Sequence, residues 1–144
     1  MNIQEKNHAL LVSYFQQGCK SNCIQKLGVE IEHFVIRRDT KESVPYYGER
    51  GVEAILAELS GSYPEQILDN GALLGLANND YSLTLEPAGQ LEISIVPKES
   101  IRVIYKIYKS FLRQILPVLD RYGYELVTLG YHPKSRVRDL PLIP

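Results

Sequence analysis

Between Tyr81 and Val96 the chain reads Y-S-L-T-L-E-P-A-G-Q-L-E-I-S-I-V, two runs of alternating apolar and polar residues separated by Pro87-Ala88-Gly89. Alternation of period two marks a strand with one face in a core, and a three-residue loop between two such runs predicts a β-hairpin. The loop residues set its register. Proline holds φ at about −65° for the first corner of a type I turn, and Gly89 supplies the left-handed residue that follows, so Glu86 is paired with Gln90. Counting outward, Leu85 faces Leu91, Leu83 faces Ile93 and Tyr81 faces Ile95, which makes one side apolar throughout. The other side carries Ser82, Thr84, Glu86, Gln90, Glu92 and Ser94. On that side Glu86 and Glu92 are diagonal neighbours, with Cβ atoms roughly 7 Å apart. Two carboxylates so placed repel unless both are solvated, one is protonated, or a cation such as Mg²⁺ lies between them. A water-facing sheet surface is the plain alternative.

The remaining elements are predicted in chain order. Ile3 to Gln17 has helical spacing of Ile3, Leu10, Leu11, Tyr14 and Phe15, with Gly18 as a stop, and is expected to be a packing helix. Leu27 to Arg38 reads as a half-buried strand in which Val29, Ile31 and Val35 alternate with Glu30, Glu32 and Phe34, so the two glutamates share a face. A turn over Asp39 to Ser43 leads to an extended Val44-Pro45-Tyr46-Tyr47, a candidate short partner strand. Gly51 to Leu59 is a short helix buried through Val52, Ile55, Leu56 and Leu59. Arg50, at its head, is a candidate for positioning a substrate carboxylate. Gln66 to Leu68 and Ala72 to Leu76 form a hairpin around Asn70-Gly71. Ser100 caps a long helix with an apolar stripe of Ile101, Ile104, Tyr105, Tyr108, Phe111, Leu112, Ile115 and Leu119. Pro117 is expected to kink it and Gly123 to end it. Tyr124 to Tyr131 is the last strand.

At 144 residues this is one domain, large enough to fold around a core without staples. Sixteen Lys and Arg against 17 Asp and Glu give no polybasic or polyacidic balance, so nucleic acid is not an expected partner. No apolar run approaches the roughly 18 residues of a membrane span. The first residues, M-N-I-Q-E-K-N-H, lack a signal-peptide pattern, so a cytoplasmic protein without a membrane partner is expected. Cys19 and Cys23 sit in C-K-S-N-C without the further ligands of a zinc or iron–sulfur site, which fits free thiols in a reducing compartment.

Four pieces, in order, carry a family resemblance: G-V-E-I-E-H-F at Gly28 to Phe34, Y-G-E-R-G-V-E-A-I-L at Tyr47 to Leu56, S-L-T-L-E-P-A-G-Q-L-E-I-S at Ser82 to Ser94, and G-Y-H-P at Gly130 to Pro133. The chain resembles the N-terminal part of glutamate–cysteine ligases of the plant and proteobacterial type. The resemblance implies an α+β fold like the glutamine synthetase catalytic domain, with an antiparallel sheet and packed helices, over a single domain spanning residues 1–144. It also implies ATP-dependent ligation of the γ-carboxylate of L-glutamate to the amine of L-cysteine, with Mg²⁺ or Mn²⁺ as the metal. By similarity Glu30, Glu32, Glu86 and Glu92 match the acidic metal-binding positions, and Gln90 matches the motif glutamine at the substrate. Ala88 stands where the family commonly has glycine. Family members are far longer, so the chain is expected to be a fragment unable to complete catalysis alone, with unpaired sheet edges that favour self-association. Two alternatives go with that reading: a related ligase with another amine acceptor, and a non-catalytic binding domain that keeps the fold.

Overall fold

In the computed structural model residues 2–19, 25–140 and 143–144 are described. The elements in order are α1 (Ile3–Gly18), β1 (Leu27–Arg37), α2 (Val52–Leu59), β2 (Glu65–Asp69), β3 (Ala72–Ala77), β4 (Tyr81–Glu86), β5 (Gln90–Lys98), α3 (Ile101–Tyr122) and β6 (Tyr124–Val127). The strands form one six-stranded sheet in the order β2-β3-β4-β5-β1-β6, antiparallel at every step. The architecture is α+β: α2 and α3 cover one face, and the core between them and the sheet includes Ile55, Leu56, Leu83, Leu91, Ile93, Phe111 and Ile115.

The central hairpin has the predicted register along its whole length, from Glu86 opposite Gln90 to Tyr81 opposite Ile95. Its corner differs from a type I turn, because Ala88 has φ of 68° and Gly89 φ of 74°, two left-handed residues in succession. The β2–β3 hairpin also forms, turning on Asn70 at φ 47° and Gly71 at φ 87°. Ser100 caps α3 by accepting from the Arg102 amide at 3.3 Å, and Gly123 closes it in the left-handed conformation. Between those caps α3 runs through Pro117 to Tyr122 without ending. Of its stripe, Ile104, Phe111, Ile115 and Leu119 are buried and Tyr108 and Leu112 half-buried, while Ile101 and Tyr105 are exposed.

Three expectations are corrected. Residues Ile3 to Gln17 are helical, with a capping box in which the Glu5 amide donates to the Asn2 side chain and the Asn2 amide to the Glu5 side chain. They do not pack, however: no residue of α1 is buried, and Ile3, Leu10, Tyr14 and Phe15 are all at least 60% exposed. Periodicity shows that a helix has an apolar face and says nothing about what that face meets. The segment after Asp39 makes a single bridge, Ile36 to Ser43, rather than a strand, because Pro45 has no donor and its carbonyl instead accepts from Val52 at the start of α2. The last strand stops at Val127, four residues short of Tyr131. Cys19 is an exposed free thiol, and Cys23 lies outside the described residues.

Candidate functional site

Because β4, β5 and the first half of β1 turn every second residue toward the helices, their intervening residues emerge together on the opposite face. The register aligns them in rows. Glu32 lies opposite Glu92, which lies opposite Thr84; Glu30 lies opposite Ser94, which lies opposite Ser82; and Glu86 lies opposite Gln90. The structure therefore brings Glu30, Glu32, Glu86, Gln90 and Glu92 onto one sheet face, and Glu32 and Glu92 are direct cross-strand neighbours, a spacing of about 5 Å between Cβ atoms. Ser94 donates to the Glu92 carboxylate at 2.7 Å. Among the described residues none of the four glutamates has a salt-bridge partner.

Glu86 reports the resulting field. Burial, and then the negative charges of Glu92, Glu32 and Glu30 in that order, push its carboxyl above the ordinary carboxylate range. Toward the other end of the face, Glu30, Ser82 and Ser94 join Asn78 and Pro97 in lining an open concavity of about 590 Å³. Beyond Glu32 the same side of β1 carries Phe34, which is buried beneath the His132 ring at 5.1 Å. His132 is held by the Lys134 and Ser135 amides, both donating to its Nδ1, while Lys134 reaches back to the Thr40 carbonyl at 2.8 Å. The 132–135 turn thus walls the face at that end.

The four glutamates do not form a closed cage. Among the described residues no three His, Cys, Asp or Glu side chains approach closely enough to hold one metal ion. Sheet spacing explains this: a cross-strand pair can converge on one ion, whereas diagonal partners roughly 7 Å apart need further oxygens between them. Carboxylate oxygens are the ligands that hard cations prefer, and Mg²⁺ is commonly held by one or two of them with phosphate oxygens completing its shell. The donor set fits such a cation, with Glu32 and Glu92 as the nearest pair.

Arg50 is elsewhere. Tyr124 is the cross-strand partner of Arg37, which shares the helix side of β1 with Val35, so the Arg50 that packs over the Tyr122 and Tyr124 rings is across the sheet from the glutamates. Its guanidinium donates to the Tyr122 carbonyl at 2.6 Å and its own carbonyl accepts from the Tyr124 hydroxyl. Next to it, Gly51 admits no side chain, since a Cβ there would lie 2.3 Å from the Tyr46 carbonyl oxygen. The Y-G-E-R-G segment ties the head of α2 to the end of α3.

One residue with a strong position has no counterpart among the sequence candidates. His33 is 1% exposed, with Nδ1 3.1 Å from the Leu91 carbonyl and Nε2 2.8 Å from the Tyr108 hydroxyl. Its signal in the sequence was parity: counting from Val29 and Ile31 places it on the apolar side of β1, beneath α3.

Comparison with known proteins adds a family. Residues 26–144 match the model of Glutamate-cysteine ligase family 2. Among curated relatives, the chain is 31% identical over 134 residues to glutamate–cysteine ligase A, chloroplastic, of Oryza sativa subsp. japonica, covering 93% of this chain and 27% of the relative. It is 28% identical over 135 residues to the chloroplastic glutamate–cysteine ligase of Brassica juncea, covering 93% and 26%. The corresponding enzyme of Arabidopsis thaliana is 27% identical, covering 93% and 25%. The chain thus spans about a quarter of the length of these relatives. No described helix is long and apolar enough to cross a membrane.

Proposed function

The chain belongs to Glutamate-cysteine ligase family 2, and from that membership we propose that it provides the N-terminal part of a catalytic domain of glutamine synthetase type, in a protein that joins the γ-carboxylate of glutamate to the amine of cysteine at the expense of ATP. In that reaction the γ-carboxylate takes the terminal phosphoryl group of ATP, and the cysteine amine then attacks the activated carbonyl and expels phosphate, leaving γ-glutamylcysteine. The observation that supports the reading is the strand register, which aligns Glu30, Glu32, Glu86 and Glu92 on one face with Gln90 beside them.

Glu32 and Glu92 would hold the divalent cation, with Glu30 and Glu86 flanking them. The cation, Mg²⁺ or Mn²⁺, supplies positive charge against the triphosphate oxygens. The protein's own contribution is to keep these carboxylates at fixed spacing on a rigid sheet, with Gln90 presenting an amide to the substrate. Arg50 packs the head of α2 against the end of α3, across the sheet from this face.

The test is Mn²⁺ binding by the purified chain, followed by calorimetry and by paramagnetic broadening of side-chain resonances. Wild type is expected to bind weakly, since water must fill positions that phosphate oxygens would take. Glu32→Gln/Glu92→Gln is expected to abolish binding while leaving the fold intact. Unchanged binding in that double variant would return the face to a solvated surface.

A further inference from the structure

At His33 the sheet divides. Up to that residue β1 pairs with β5, the last pair being His33 with Leu91, and from Phe34 onward it pairs with β6. Leu91 is fully buried, paired with His33 on one side and Leu85 on the other, and its carbonyl accepts from the His33 side chain. A carbonyl only accepts, so Nδ1 carries the proton and the neutral ring accepts the Tyr108 hydroxyl at Nε2. The ring lies nearly parallel to Tyr108 at 17° and against Phe111, so α3 holds it from the other side.

We propose that His33 is a positioning residue for the acidic face, fixing Glu32 on β1 against Gln90 and Glu92 on β5 at the point where the two strands separate. The inference rests on the reading of that face as a cation and substrate site. Its mechanism is mechanical coupling. Glu32 precedes His33 directly, and Gln90 and Glu92 flank Leu91, so the imidazole bond reinforces the last pair of the ladder beside the two strands' carboxylates. The chain Tyr108, His33, Leu91 carries the rigidity of a 22-residue helix through the sheet to its far face. Groups bonded directly to metal ligands are worth about 10–100-fold in metal affinity, and His33 acts one step further out, through the backbone between Gln90 and Glu92.

Two substitutions separate this role from mere filling of the core. In His33→Asn the side-chain amide reaches the position of Nδ1 and keeps the bond to Leu91, whereas in His33→Gln the amide reaches the position of Nε2, toward Tyr108, and loses the bond to the Leu91 carbonyl. Both lose packing. Mn²⁺ affinity of the purified chain, measured with thermal unfolding of each variant, is expected to stay within about threefold of wild type in His33→Asn and to fall about tenfold or more in His33→Gln, at similar losses of stability. Equal affinity in the two folded variants, or affinity that follows melting temperature alone, overturns the positioning role while the cation site stands. Absence of Mn²⁺ binding in wild type overturns the site itself and the positioning role with it.

Discussion

Ala88 holds a conformation that suits glycine. At φ 68° its Cβ meets the neighbouring carbonyl, a clash worth about 1–2 kcal/mol for an L-residue. Ala88→Gly is therefore expected to raise stability by about 1 kcal/mol in chemical denaturation, less the entropy that a glycine loses on folding. A fall in stability would mean that the corner needs the methyl group. Glu86, at the start of the same corner, has the opposite character, a charge that the fold disfavours. Its carboxyl is raised in the folded state, by burial first and by Glu92, Glu32 and Glu30 after it, so folding favours the protonated form. The penalty is fully present above the raised value and disappears as pH falls below the unfolded carboxylate's own range. Glu86→Gln should thus stabilise the chain at neutral pH, and the gain should vanish near about pH 3. A gain that is the same at both pH values would show that repulsion is not its source. These residue-scale features were unequally legible. The Glu86–Gln90 pairing could be read from Pro87 and Gly89, but the second left-handed residue could not, because nothing in an alanine announces positive φ.

Among the elements, the hairpins and α3 were legible for local reasons: turn residues, caps and periodicity all act within a few positions of one another. Asn70-Gly71 marks the β2–β3 turn, and Ser100 and Gly123 bound α3. What was not legible depends on distant partners. The change of β1 from β5 to β6 between His33 and Phe34 leaves no trace in period-two alternation, and His33 with its bond to Leu91 stands at that change. The same holds for α1, whose apolar residues predicted burial. As it buries none of them, α1 adds no apolar burial to the stability of the sheet and α2–α3 layer. Deleting residues 1–19 is expected to leave the denaturation midpoint of that layer unchanged and to remove helical circular dichroism in proportion. The same deletion should weaken self-association, because Ile3, Leu10, Leu11, Tyr14 and Phe15 together expose an apolar surface of the kind that seeks a partner. Sedimentation of the full chain and the deletion variant over the same concentrations checks it: equal association in both would move the contact to the open edges at β2 and β6.

At the scale of the whole molecule the two sides of the sheet differ in charge. The outer face of β1, β4 and β5 gathers Glu30, Glu32, Glu86 and Glu92, and its other members there, Ser82, Thr84, Gln90 and Ser94, are neutral. Arg102, Lys106, Lys109 and Arg113 lie along α3 and Arg50 is bound to the end of that helix, while Lys134, in the turn at the end of the acidic face, is held by the Thr40 carbonyl and the Glu42 carboxylate. Phosphoryl transfer needs positive charge on both flanks of the transferring group, from protein cations as well as from metal. The acidic face is the seat proposed for the metal, and the rows Glu32–Glu92–Thr84, Glu30–Ser94–Ser82 and Glu86–Gln90 that form it hold no lysine or arginine. The sheet separates the α3 cations from that face, and no ordinary side-chain motion carries them through a packed core. The chain by itself is therefore expected to show no glutamate- and cysteine-dependent release of phosphate from ATP, even at Mn²⁺ concentrations that saturate the carboxylates. Phosphate release dependent on both amino acids and abolished by Glu32→Gln/Glu92→Gln would show that these carboxylates and a metal suffice without a cationic clamp, and would overturn this division of labour.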